Sequence, residues 1–309
     1  MSPAVPPPGD HGGDGAAIAR WLGVDVAQVL DLSASLNPFP PDVAAAVVDQ
    51  IDSVGRYGDI AAGEVVLAAA MGVDPGVAVL TNGGSEAIAL VAAVMPRGRI
   101  DEPEFSLYRR HLHEVADDAP RWRSNPHSPS GALAAPDATA AVWDEAYWPM
   151  TTGTWTRGDH LDGAVVVGSL TKLLACPGLR LGYVLAPDPT TADALRARRP
   201  EWSVGALALA VLVEVLAAVD LRASAAAVRQ ARFELVRVLV TRGFDVEAAD
   251  APWVLVHSAT GLRDALAARG VVVRDCTSFG LPGTVRIGIP PPAALDRLAA
   301  ALDAIKKDR

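Results

Sequence analysis

From Val77 onward, short β-branched runs alternate with longer Ala/Leu patterns. The run 77–81 predicts a strand, followed by Asn82-Gly83-Gly84 and a helix over 85–95. A second strand is predicted at 141–143, ending in Asp144, and two more at 164–167 and 181–185. This is the βαβ rhythm of a mostly parallel sheet covered by helices. A long helical region follows at 203–240, and beyond it the character changes. Strands are predicted at 253–257, 271–273 and 284–289, around a helix at 260–269, with a closing helix at 293–305. The expected architecture is α/β: a large, mostly parallel sheet domain covered by helices over 46–220, plus a small α+β domain over 221–309. Residues 1–15 are rich in Pro and Gly, so 1–45 is expected to form an arm that packs with the small domain.

Composition narrows the function classes. The chain has 309 residues, half of them hydrophobic and 20% charged, enough for a large core and about two domains. The longest apolar stretch, 204–219, is interrupted by Glu214 and is short for a bilayer span. It predicts a helix buried in a large protein or at a subunit interface. A net charge of −9 and a pI of 5.1 argue against nucleic acid or an anionic membrane as partner. Two cysteines, Cys176 and Cys276, make no disulfide framework and lack zinc-ligand spacing, which fits a reducing cytoplasm. The start "MSPAVPPPGDHGGDG" has neither a basic nor an apolar leader region, so the expected location is cytoplasmic.

Candidate chemistry collects at one place. Ligands of open α/β sheets bind outside the carboxyl ends of the strands. On the pattern above, Asp144, Ser169, Thr171, Lys172 and the Gly83-Gly84-Ser85 turn all fall there. A lysine just past a strand is usually a surface residue. A partly buried one, with a cation such as Arg180 nearby, has a lowered pKa and becomes a nucleophile for carbonyl compounds. Gly83-Gly84-Ser85-Glu86 opens a helix and offers backbone N–H groups and a hydroxyl to an anion. The same stretch also reads as an ordinary turn, or as a nucleophile elbow around Ser85 that would need His257 as a later base. Asp144, in "VWDEAYW", is either a turn-capping aspartate or the partner of a cationic ring nitrogen, with Tyr147 at a ring oxygen. Together these residues supply what pyridoxal 5'-phosphate requires: a lysine for its aldehyde, a carboxylate for its ring nitrogen and a cradle for its phosphate.

The chain resembles the class I/II aminotransferase superfamily, the fold-type I pyridoxal-phosphate enzymes. "SLTKLLACPGLRLGY" is similar to that family's S-x-[ST]-K-x7-R-x-G signature. The resemblance implies that Lys172 bonds the cofactor aldehyde. It also implies that Ser169, Thr171 and Arg180 hold the phosphate together with Gly84, Ser85 and Glu86. Asp144 then pairs with the ring nitrogen, Tyr147 with the ring 3-hydroxyl, and Phe105, from "EPEFSLYRRHL", stacks on the ring. "GRYGD" is similar to the segment whose tyrosine, here Tyr57, reaches the phosphate of a partner subunit, which implies a homodimer with shared sites. Within the superfamily, "HGGD", "LDLSASLNPFPP" and "VVVRDCTSFGLPGTVRIGI" resemble threonine-phosphate decarboxylases of cobalamin synthesis. Histidinol-phosphate aminotransferases are the near relatives. Arg274 and Arg286 then bind the substrate's acidic groups, aided by Asn37 and His11.

The chain departs from that pattern at three asparagines. Ser128, in "NPHSPSG", stands where an asparagine touches the ring 3-hydroxyl, and a serine needs a water to reach it. Ser35 and Gly205 replace two others. The expected function is a homodimeric pyridoxal-phosphate enzyme acting on a small phosphorylated amino compound, a decarboxylase of threonine-phosphate type. The alternatives are an aminotransferase of histidinol-phosphate type, a cofactor-binding homologue without activity, and a serine hydrolase using Ser85.

Overall fold

The computed structural model describes residues 4–307; residues 1–3 of the expected arm and 308–309 of the expected small domain lie outside the described residues. The chain divides into two compact units. One gathers the chain up to Phe39, the segment Pro129–Ala132 and the chain from Ala226 onward. The other comprises Pro40–Ser128 and Leu133–Ala225.

The larger unit is built on a seven-stranded sheet. Its spatial order is Ala78–Asn82, Leu181–Leu185, Val165–Ser169, Val142–Asp144, Arg121–Ser124, Arg97–Ile100 and Glu114–Val115. The strands from Val165–Ser169 to Glu114–Val115 run parallel, while Leu181–Leu185 is antiparallel to both of its neighbours. Both sheet faces are covered, which is why the central strands read as unbroken apolar runs. On one face Leu80, Trp143, Val166 and Leu185 pack with Leu67 of the helix Ile60–Met71 and Leu212 of the helix Ala206–Ala218. On the other, Val79, Trp122, Val165 and Val184 pack with Ile88 and Val91 of the helix Gly83–Val94.

Three differences from the sequence pattern have physical causes. The strands Arg97–Ile100 and Arg121–Ser124 are absent from the predicted set because arginines occupy alternate positions in "RGRI" and "RWRS". Ion pairs of Arg97 with Glu114 and of Arg121 with Asp101 hold that face, so apolar alternation gives no signal there. The helical region 203–240 is two helices, Ala206–Ala218 and Leu221–Val240. They break at Asp220, whose carboxylate accepts the Ala223 N–H and starts the second. The crossover 125–141 between parallel strands contains no helix. Side chains hold it instead: Asn125 Oδ1 accepts from Ala134 N, and Arg157 Nη2 donates to the carbonyls of Pro136 and Ala138.

The outermost strand Ala78–Asn82 has one unpaired edge, and an exposed edge invites pairing with another chain. Here side chains satisfy it. Glu64 accepts the Leu80 N–H at 3.1 Å, Arg199 donates to Leu80 O at 2.7 Å and Arg196 to Ala78 O at 2.9 Å. Glu64 is buried and joins both guanidinium groups, at 2.6 Å to Arg199 and 3.1 Å to Arg196.

The smaller unit holds a four-stranded antiparallel sheet in the order Arg274–Asp275, Val285–Gly288, Trp253–His257 and Asp245–Glu247. The predicted run 271–273 divides. Val271–Val272 pairs in parallel with Leu30–Asp31, and the chain then enters the four-stranded sheet at Arg274. Leu32, Val254, Leu266, Ile287, Leu298 and Leu302 form the core, the last two from the closing helix Pro292–Lys307.

Replacing Glu64 by Gln leaves two arginines without their buried countercharge. The expected loss is about 3 kcal/mol of unfolding free energy, at the low end for a broken buried pair because both arginines keep their carbonyl bonds. Urea denaturation measures it; a loss below about 1 kcal/mol refutes the edge-sealing role.

Candidate active site

The Val142–Asp144 and Val165–Ser169 strands are adjacent and parallel, so both end at the same sheet edge. That edge carries Asp144 from one strand and Lys172 from the short helix Leu170–Leu173 that follows the other. Asp144 is buried. Its Oδ2 accepts the Tyr108 hydroxyl at 2.9 Å and its Oδ1 the Ala146 N–H at 3.0 Å. Burial pushes its carboxyl up from the usual range; the Ala146 N–H, the Tyr108 hydroxyl and the Lys172 ammonium oppose that shift. No ion pair to Asp144 occurs among the described residues. The Lys172 ammonium lies 5.8 Å from the centre of the Tyr147 ring. The structure therefore brings Asp144, Tyr147 and Lys172 together.

The Gly83-Gly84-Ser85 turn is the start of the helix Gly83–Val94. Gly83 takes the left-handed conformation, φ +78°, and the Arg180 guanidinium lies where a side chain on Gly83 would sit. A Cβ on Gly84 would come 3.3 Å from the Ser169 Cβ. Gly182 completes the arrangement: a Cβ there would lie 2.6 Å from the Gly84 nitrogen. The "RLG" of the signature thus lets one strand's backbone touch the turn. The result is a helix N-terminus with Ser169 and Arg180 alongside it, a donor set suited to a phosphate. Two predicted members are engaged elsewhere. Glu86 caps the helix by accepting the Asn82 N–H at 2.6 Å, and the Thr171 hydroxyl donates to Leu181 O at 3.3 Å.

Residues that the sequence pattern did not single out lie beside Asp144. Tyr108 follows Phe105 by one helical turn, and their rings meet edge to face at 5.8 Å. Glu104 is buried and accepts Ser124 N at 2.9 Å, Ser124 Oγ at 2.5 Å and Phe105 N at 3.2 Å. Ser124 Oγ also accepts the Ser128 N–H at 2.8 Å. Burial pushes the Glu104 carboxyl up to about 7. The signal was present as polar residues in "EPEF" and "RWRS", but only the fold shows that they meet.

The smaller unit holds the two predicted arginines. Arg274 and Arg286 are directly opposed on antiparallel strands, and both are buried. Like charges in that position repel unless an anion or polarisable surface receives them. Arg274 lies 4.3 Å above the Phe279 ring and Arg286 4.7 Å above Trp253. Arg274 also donates to the carbonyl of Asp10 at 2.8 Å and to that of His11 at 3.4 Å, so the backbone leading into "HGGD" orients it. Arg286 Nε is buried with no hydrogen-bond partner. Asn37 is buried, and its Oδ1 accepts the Phe39 N–H in a local turn. Ser35 sits in the left-handed region, φ 50°, where asparagine is better tolerated than serine.

Other predicted positions stand apart. Tyr57 is 77% exposed and packs on Trp202 at 4.6 Å. The ring nitrogens of His257 meet Thr284 Oγ1 and Glu247 Oε2. Nothing lies within 4 Å of where a side chain at Gly205 would begin.

Comparison with known proteins agrees with this geometry. The family model for aminotransferase class I and II matches residues 122–302. The chain is 28% identical to a histidinol-phosphate aminotransferase of Haloarcula marismortui, covering 93% of each protein. It is also 28% identical to the threonine-phosphate decarboxylase of Salmonella typhimurium, over 64% of this chain and 67% of that one. The fold superimposes on the histidinol-phosphate aminotransferase of Sinorhizobium meliloti, solved with pyridoxal-5'-phosphate, with a TM-score of 0.82 and 19% identity over 95% of this chain and 94% of that one. The matched region spans more than half of the chain and includes Asp144, Lys172 and Arg180 within the same sheet-edge arrangement; the chain belongs to the class I and II aminotransferase family.

Proposed function

We propose that the protein is a pyridoxal-phosphate enzyme acting on a small phosphorylated amino compound. The observation that carries this reading is the buried Asp144 carboxylate, which feels the Lys172 ammonium but forms no ion pair among the described residues. A protonated ring nitrogen supplies the missing charge. The glycine-opened helix start beside Ser169 and Arg180 fits the cofactor phosphate, because a side chain at Gly83 would fill the cradle.

When bound, the cofactor supplies an aldehyde for the substrate amine and a ring that accepts electrons from the α-carbon. The protein's residues do the rest. Lys172 Nζ would hold the cofactor aldehyde and would be the group that gives or takes a proton at the substrate α-carbon. Asp144 keeps the ring nitrogen charged, and Tyr108 and Ala146 hold that carboxylate in place. The Tyr147 hydroxyl would donate to the ring oxygen, Phe105 would stack on the ring, and Ser128 would reach the ring oxygen through water. Gly84 and Ser85 N–H groups, Ser169 and Arg180 bind the phosphate. Glu86 contributes by capping the helix, and Thr171 by closing the loop back to Leu181.

Arg274 and Arg286 bind the substrate's phosphate and carboxylate, with Asn37 and His11 beside them in this role. Of the two reactions, decarboxylation of threonine-phosphate type is favoured by the likeness of the "HGGD" and "RDC" segments. Exposed Val48, Val54, Val65 and Val213 lie on helices and turns that pack together in the larger unit. They support a homodimer in which Tyr57 serves the partner's phosphate site. The acidic charge and the two free cysteines support a cytoplasmic location without nucleic-acid or membrane partners.

Offered L-threonine O-phosphate, the protein is expected to release CO2. Glutamate formation from histidinol phosphate with 2-oxoglutarate would instead establish the aminotransferase, and neither product the inactive homologue. Lys172→Ala is expected to abolish turnover with an unchanged circular dichroism spectrum; retained activity refutes the lysine's role. Arg286→Lys loses bidentate pairing, and kcat/KM is expected to fall about 100-fold, equivalent to about 2.7 kcal/mol. An unchanged kcat/KM removes Arg286 from the substrate site. Sedimentation equilibrium is expected to give a dimer, and a monomer at micromolar concentration refutes the shared site.

A further inference from the structure

Glu104 has no part in the chemistry proposed above, yet it is buried and sits where two parts of the cofactor site begin. Its carboxyl receives Phe105 N directly, at 3.2 Å. It receives Ser124 N and Oγ, at 2.9 and 2.5 Å, and Ser124 Oγ in turn receives Ser128 N at 2.8 Å. One carboxyl therefore ties down the ring-stacking residue and the residue at the ring oxygen. A spacing of 2.5 Å between a carboxyl and a hydroxyl oxygen marks a strong, charge-assisted or acid-donated bond.

Few surrounding groups offset a charge on Glu104. The Ser124 strand supplies Arg123, half-buried, which attracts Glu104 without forming an ion pair and is itself opposed by Arg121 and Arg157. The turn after that strand supplies His127, whose Nε2 meets Pro103 O and whose basicity burial lowers. The next strand supplies Asp144, a like charge, facing Lys172. The helix Leu107–His111 supplies Tyr108, whose phenol burial raises well above its usual range. On its own loop, Glu102 accepts the Glu104 N–H and pairs with Arg109 near the surface. Among the described residues no ion pair reaches Glu104.

We propose that Glu104 is a positioning residue for the cofactor ring: a buried, uncharged acid that anchors Phe105 and Ser128 and whose ionisation places a second negative charge beside Asp144. The proposal rests on the reading of this protein as a pyridoxal-phosphate enzyme. In the acid form, one oxygen accepts the Ser124 N–H and the other donates to Ser124 Oγ. Glutamine, with its amide nitrogen as the donor to Ser124 Oγ, keeps both Ser124 bonds, gives up the Phe105 N–H bond and cannot ionise. The folded protein holds the Glu104 proton up to about pH 7, against 4.5 for an ordinary glutamate. Its contribution to stability therefore falls as pH rises from the ordinary range through neutrality, and is constant above. The ionised acid also repels a polyanionic, phosphorylated cofactor.

The test compares apoprotein with E104Q. By equilibrium dialysis with pyridoxal phosphate, the ratio of wild-type to variant Kd is expected to rise about tenfold between about pH 6 and about pH 8.5. A ratio constant with pH marks a structural prop and overturns the proposal. The melting temperature of E104Q, measured without cofactor, is expected to gain on wild type as pH rises from about 5 to about 7.5. Parallel melting profiles overturn the proposal as well. Should E104Q not fold, 13C-carboxyl NMR of the wild-type apoprotein decides. A Glu104 midpoint near neutrality, lowered by D144N, supports the proposal, and a midpoint in the ordinary glutamate range overturns it. If neither protein binds pyridoxal phosphate while the melting profiles diverge as expected, the functional reading fails and the positioning role with it. If both bind and the profiles stay parallel, the functional reading stands and only the Glu104 proposal falls.

Discussion

Burying a carboxylate at the end of a central strand is the constraint on which the larger unit's binding edge depends. An ionised group taken out of water costs several kcal/mol unless charge and hydrogen bonds replace its hydration. For Asp144 the protein supplies one phenol, one backbone N–H and a nearby ammonium. Those donors are few for a buried charge, and the carboxyl remains raised. Under the proposed reading, a protonated cofactor ring nitrogen completes these electrostatics. The same burial forces Tyr108 to be ordered, because a partner that moves leaves a buried group unsatisfied.

The anion cradle follows from a different rule, close approach of backbone. Gly182 brings the strand of the signature against the Gly83–Gly84 turn, and Gly83 leaves room for the Arg180 side chain. Gly168 does comparable work inside the sheet, where any side chain would collide with the Tyr183 ring across the strand pair. These glycines contribute no functional atoms. They set the distances at which Ser169, Arg180 and the helix N-terminus act as one donor set. The smaller unit solves its own problem with aromatic faces. Phe279 and Trp253 accept the two buried guanidinium groups, whose mutual repulsion keeps the pair ready for an anion.

Much of this was legible in the chain. Apolar runs marked the strands ending at Asp144 and Ser169, because strands buried on both faces leave little room for polar residues. The S-x-T-K-x7-R-x-G spacing marked the lysine and the arginine, since both must project from fixed points on consecutive elements. The strands "RGRI" and "RWRS" were not legible, because their arginines are held by ion pairs rather than by a core. The break at Asp220 was hidden in a run of helix-favouring residues, where one capping aspartate decides the boundary.

The sequence by itself determined the fold class, the covalent lysine candidate and the two candidate arginines, whose direct opposition only the sheet register shows. Those depend on periodicity and on residue chemistry at fixed spacing, which a linear text records. Only the tertiary structure decided how hydroxyls and carboxyls are spent. Thr171 and Glu86 turn out to serve their own backbone. Glu104, Tyr108 and Ser124 become the neighbours of Asp144. The physical reason is that a hydrogen bond takes whichever partner lies within about 3 Å, and that distance is set by packing between elements far apart in the chain.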